Sequence, residues 1–100
     1  MKEGMSIPSS FYLGAIPYSV TIVNHIDKGE SLGVTDPDEG TIMVMRDMIR
    51  PRKEQTFCHE LIHALFDAAG RDDLGSDEVL VDVLGTLLHQ YMVTKKGVAK

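Results

Sequence analysis

His59, Glu60 and His63 are the residues in this chain best spaced to do chemistry together. They stand in the run His59-Glu60-Leu61-Ile62-His63. On a helix, positions four apart lie one above the other, so His59 and His63 would offer two imidazoles to one metal ion. Glu60 is next to them, where a carboxylate can take a proton from water activated by that metal. A His-Glu-x-x-His pattern on a helix is the arrangement of metal-assisted hydrolysis, with zinc as the expected ion.

The flanking residues predict the helix this chemistry needs. Phe57, Leu61, Ala64, Leu65 and Ala68 recur at helix period. Cys58, Ile62, Phe66 and Ala69 form a second apolar stripe. At ~100° per residue the first stripe lies nearly opposite the histidines and the second beside them. A helix apolar on two sides is expected to be clamped between two layers. Its one polar opening would carry Thr56, His59, Glu60, His63 and Asp67. Pro51 suits the first turn and Gly70 the stop, giving a helix over 51–69.

Catalytic zinc usually takes three protein ligands. A third histidine six residues beyond His63, after an intervening glycine, would mark one large class. Phe66 and Ala69 occupy those places, which excludes it. The acidic residues of the next helix remain: Asp77, Glu78 and Asp82. Glu78 and Asp82 share a face with Gly85 and His89. That spacing allows Glu78 to bind metal while Asp82 supports an imidazole from behind. Height along the helix argues the other way. His63 lies six residues before the helix end, a rise of about 9 Å, and strict antiparallel packing would bring Asp82 nearer its level. His89 is about 16 Å beyond Glu78 and cannot share the ion.

The rest of the chain supplies a small scaffold. One hundred residues, 43% of them hydrophobic, are expected to form one domain over 1–100. Residues 1–16 read as irregular, with Pro8, Gly14 and Pro17 as breakers. Strands are expected over 18–26, 31–35 and Thr41–Met45, the last two as a hairpin around Asp36-Pro37-Asp38-Glu39-Gly40. A turn is expected at 27–30. Ser76 is expected to cap a helix over 77–92, and 93–100 reads as a basic, frayed tail. Gly85 inside that helix suggests close packing. The fold class is α+β: about three strands, antiparallel or mixed, on the His-bearing helix and a following acidic helix.

Composition excludes several functions. A net charge of −5 argues against direct nucleic-acid binding. There is no long apolar run and no signal pattern, so a soluble, cytoplasmic protein without membrane contact is expected. The single cysteine, Cys58, lies on an apolar stripe and reads as core. His25 reads as an ordinary strand residue. Arg46, Arg50, Arg52 and Lys53 read as a solvated helix entrance.

The run from Thr56 to Ala64 resembles the active-site helix of ImmA/IrrE-type metallopeptidases, notably their minimal phage-encoded form. The run from Glu78 to Gly85 is similar to that family's second-helix pattern. Asp82 stands where the family has Asn and Gly85 where it has Ala, two mild departures. The run Gly14-Ala15-Ile16-Pro17-Tyr18 and the Thr41–Met45 strand also look like the phage form, so the likeness spans roughly 14–92. It implies a zincin-like, minimal gluzincin domain. It implies Zn2+ on His59, His63 and Glu78, with Glu60 as the catalytic base. The expected substrate is a peptide bond in a regulatory protein such as a phage-type repressor. The expected site also includes Asp82 behind the ligands, and Tyr12 or Tyr18 as a candidate oxyanion donor. Thr41–Met45 is expected to offer an open strand edge to substrate. Two other functions fit the residues: a non-catalytic zinc-binding module that regulates a protein partner by contact, and a metal-free interaction domain. The oligomeric state is not legible.

Overall fold

The computed structural model describes residues 4–26 and 31–100. Four strands and three helices follow in the order β1 (Ser10–Leu13), β2 (Ile16–Val23), β3 (Gly33–Asp36), β4 (Thr41–Met45), α1 (Arg50–Ala68), α2 (Asp72–Gly75) and α3 (Glu78–Thr94). The sheet order is β1-β2-β4-β3. β1 pairs with β2 and β3 with β4 antiparallel, while β2 pairs with β4 parallel. The sheet is therefore mixed.

Three expectations are corrected here. The segment read as irregular contains β1, which forms a hairpin with β2 in the register Leu13↔Ile16. Gly14-Ala15 is its two-residue turn, with glycine first, as a II′-type connection requires. Pro17 does not break the pairing. It faces Tyr12 at a pair that exchanges no backbone hydrogen bonds, since the bonded pairs alternate with it. The strand over 18–26 begins at Ile16 and ends at Val23 instead. The turn expected at 27–30 lies outside the described residues.

The edge assignment also changes. β4 is paired on both sides, so it offers no open edge. β3 is the edge strand on the helix-site side. The β3–β4 hairpin itself is as expected, closed by Gly40 N–H donating to the Asp36 carbonyl at 2.9 Å.

Alternation along the strands builds the core. Tyr18, Val20 and Ile22 of β2 and Ile42 and Val44 of β4 face α1, where Phe57, Cys58 and Ala64 meet them. Phe11 stacks on Tyr18 with centroids 5.4 Å apart and meets the Phe57 ring edge-on. On its other side α1 packs against α3. α1 is thus covered by the sheet and by a helix, as its two apolar stripes predicted. Its last turn is less covered: Leu65, Ala68 and Ala69 are exposed.

The connection to α3 contains a short helix, α2, rather than a plain loop. Ser76 does not cap α3. Its hydroxyl donates back to the Asp72 carbonyl at 2.8 Å, and Asp77 is the N-cap, accepting from Leu80 N–H at 3.1 Å. A carboxylate suits that position because it also complements the helix dipole. α3 runs two residues further than expected, to Thr94. Among the described residues no helix is long and apolar enough to cross a membrane.

Candidate metal centre

α1 and α3 meet as an antiparallel pair. Contacts descend one helix as they climb the other: Glu54 with His89, Gln55 with Thr86, His59 with Asp82, His63 with Glu78. Gly85 permits the close approach. A Cβ there would lie 2.9 Å from His59 Cα and 3.0 Å from His59 N. On the sheet side, a Cβ on Gly33 would lie 2.8 Å from Thr56 Cγ2 and 3.1 Å from Glu60 Cγ. Two glycines thus let α3 and the edge strand close on α1 from either side of the histidines.

His59, His63 and Glu78 converge. Their ligand atoms all lie within 4.8 Å of one another. His59 Nε2 is 3.3 Å from Glu78 Oε1, and His63 Nε2 is 3.3 Å from Glu78 Oε2. Bonds of ~2.0–2.1 Å in a tetrahedron put neighbouring ligand atoms roughly 3.3 Å apart; each histidine lies at that distance from a different oxygen of Glu78, and the three groups could hold one metal ion. The imidazole rings stand 5.0 Å apart at 66°. The donor set is two nitrogens and one oxygen, as borderline divalent ions prefer.

Asp82 lies one turn on, its Oδ1 3.5 Å from His59 Nδ1. It touches the ring nitrogen that faces away from Glu78, the place of a residue that orients an imidazole. The height argument in favour of Asp82 as ligand does not hold. α2 folds back against the end of α1, with Gly75 beside Phe66, and this returns Glu78 to the level of His63.

Glu60 is buried, at 8% exposure, yet lines the cleft. Thr35 Oγ1 lies 2.6 Å from Glu60 Oε1 and 2.9 Å from the Glu60 carbonyl oxygen, and its single proton serves one or both acceptors. Thr35 was not legible as a site residue. It comes from β3, 25 residues away in sequence, and no local pattern links them. The polar sector read from periodicity is borne out: Thr56, His59, Glu60, His63 and Asp67 all line one cleft of about 840 Å³. β3 forms its opposite wall through Gly33, Val34 and Thr35.

Other expected participants lie elsewhere. Tyr18 is buried in the aromatic stack; burial, with Asp67 and Asp36 nearby, raises its hydroxyl above the ordinary tyrosine value. Tyr12 is exposed on β1, at the far edge of the sheet. Neither lines the cleft, so neither is an oxyanion donor in this arrangement. His25 follows the end of β2 and is not part of the histidine–glutamate group. Cys58 is fully buried, and burial, with Glu54 nearby, pushes its thiol up to about 11.

His89 serves a second polar cluster. Its Nε2 is 2.9 Å from Oε1 of Glu54, a carboxylate only 2% exposed, while Arg50 Nε donates to Oε2 at 2.8 Å. Burial alone would raise the Glu54 carboxyl. Hydrogen bonds from His89, Arg50 and the Met5 backbone, with the Arg50 charge, outweigh it and hold the group below its ordinary value.

Comparison with protein-family models, curated proteins and solved structures finds no match to this chain.

Proposed function

We propose that this chain is a zinc-dependent metallopeptidase domain of the minimal gluzincin kind, as its resemblance to ImmA/IrrE-type enzymes implies. The observation that carries the reading is the convergence of His59, His63 and Glu78 beside an intact Glu60 in an open cleft. His59, His63 and Glu78 would hold the ion, which when bound supplies Lewis acidity toward water and a scissile carbonyl. Asp82 orients the His59 ring from behind. Glu60 takes the proton of the attacking water and returns it to the leaving amine. Thr35 keeps one Glu60 oxygen engaged and so fixes where the other points. The exposed edge of β3 can pair with an extended peptide, and the cleft beside it has Arg52 toward one end of α1 and Asp67 toward the other.

One observation favours a second reading, a non-catalytic zinc-binding module. Glu60 is buried and tied to Thr35, so its carboxylate also clips β3 to α1. The deciding experiment is Glu60→Gln, which keeps size and hydrogen bonding and removes the base. The chain and a candidate substrate, such as a phage-type repressor, are coexpressed and substrate length is followed. The enzyme reading expects zinc content and fold to survive while cleavage falls by ~10²-fold or more. Cleavage that continues unchanged removes the mechanism. Regulation without cleavage, equal in both variants, establishes the module.

A further inference from the structure

The cleft beside the histidines carries opposite charge at its two ends. Arg52 lines it toward the start of α1, and Asp67 and Asp72 line it past His63. All three side chains are exposed. None of them joins an ion pair among the described residues, whereas the nearby Arg50 and Arg71 are taken by Glu54 and Asp73. Their fields are left for whatever fills the cleft.

β3 gives that occupant a direction. Gly33 lies against Thr56 and Glu60, and Thr35 reaches the Glu60 carbonyl oxygen. The strand therefore runs the same way as α1, from the Arg52 end to the Asp67 end. Met45 N–H donates to the Leu32 carbonyl, so Leu32, Val34 and Asp36 aim their backbone groups at β4. Gly33 and Thr35 turn theirs outward, on the wall of the cleft they line. An antiparallel partner, the slightly more stable pairing, binds the N–H and C=O of one such residue together. A peptide laid so runs against α1. Its N-terminal part lies by Asp67 and Asp72, its C-terminal part by Arg52. Asp67 is four residues beyond His63 and Arg52 seven before His59, about 6 Å and about 10 Å along the helix. At ~3.4 Å per extended residue, these are about two and about three residues from the reacting bond.

We propose that the cleft selects a peptide segment with Lys or Arg about two residues before the reacting bond and Asp or Glu about three after it. The position of the bond rests on the peptidase reading; the charge selection is a property of binding.

Binding to the zinc-loaded Glu60→Gln chain reads that selection without cleavage. Two labelled decapeptides, acetylated and amidated, share one composition. The first carries lysines near its start and aspartates near its end, and the second the reverse. Fluorescence anisotropy should show the first bound roughly tenfold tighter or more, with the difference shrinking in high salt. Arg52→Glu combined with Asp67→Lys should invert the preference, which a merely weakened fold would not do. Should that variant lose helical circular dichroism, Arg52→Gln and Asp67→Asn, each alone, should still shrink it. Equal binding of the two peptides overturns the proposal. So does tighter binding of the second, which lays the peptide parallel to β3, a preference unchanged in the variants, or no binding of either peptide. Cleavage by the zinc-loaded wild-type chain separates the two readings. Both peptides cut at one rate would support the peptidase and overturn the charge selection. Tighter binding of the first with neither cut would remove the peptidase and leave the selection standing.

Discussion

Glu78 and Asp82 differ by one helical turn, yet they touch different atoms of the same histidine. Glu78 reaches Nε2 of both rings, and Asp82 reaches Nδ1 of His59. Glu78→Gln should therefore lose bound zinc more completely than Asp82→Asn, for which about 10–100-fold weaker binding is expected. Metal content after dialysis against a graded chelator ranks the two, and the reverse order would make Asp82 the ligand. The same logic applies to Thr35, which is not one of the three converging groups but bonds Glu60, the base of the proposed mechanism. Thr35→Val keeps shape and removes the donor. Zinc content should be unchanged while kcat falls about tenfold with little change in KM, as expected when a general base loses its alignment. A fall in zinc content instead would show that Thr35 acts through the fold of the site.

Between elements, the spacing of α1 and α3 sets the geometry of the centre. Gly85 is a point of close approach, against the His59 backbone. Gly85→Ala should push the helices apart, costing about 1–3 kcal/mol as overpacking does and weakening metal binding in step. Denaturant unfolding and zinc titration of the same variant check both effects. Glu54, Arg50 and His89 bind the other end of this helix pair. The Glu54 carboxyl is held below its ordinary value in the folded chain. Its stabilising contribution is thus complete above the unfolded value of about 4.3 and is lost as pH falls through the lower folded value. Glu54→Gln should lower stability at neutral pH by ~2–3 kcal/mol and flatten the loss of stability in that acid window. Urea midpoints measured from pH 3 to pH 6, as about the range needed, read the slope.

The whole molecule is small enough for a metal on the proposed site to matter to its stability. The three proposed ligands come from two helices, so an ion on them would bind the folded chain and not the unfolded one. At free zinc a hundredfold above Kd the gain is about 2.7 kcal/mol. For a chain of this length that corresponds to a rise in Tm of roughly ten degrees or more. Thermal unfolding with and without chelator should show this difference, and His59→Ala with His63→Ala should abolish it. A melting point indifferent to chelation would mean the three groups do not hold an ion.

The sequence alone determined whatever depends on one helix. The polar sector of α1, the relation of Glu60 to the two histidines and the burial of Cys58 follow from a 3.6-residue period, which is local and invariant. The β3–β4 hairpin followed from its turn chemistry in the same way. Gly14-Ala15 carried an equally local signal for the β1–β2 hairpin, obscured by the prolines around it. Tertiary structure decided the rest. That Glu78, and not Asp82, lies level with His63 depended on how far α2 carries the chain back along α1, a length that no periodicity encodes. That β3 and not β4 forms the open edge depended on β2 pairing with β4 across an intervening strand. Thr35 on Glu60 and Glu54 on His89 join residues 25 and 35 positions apart, and only packing brings such partners together.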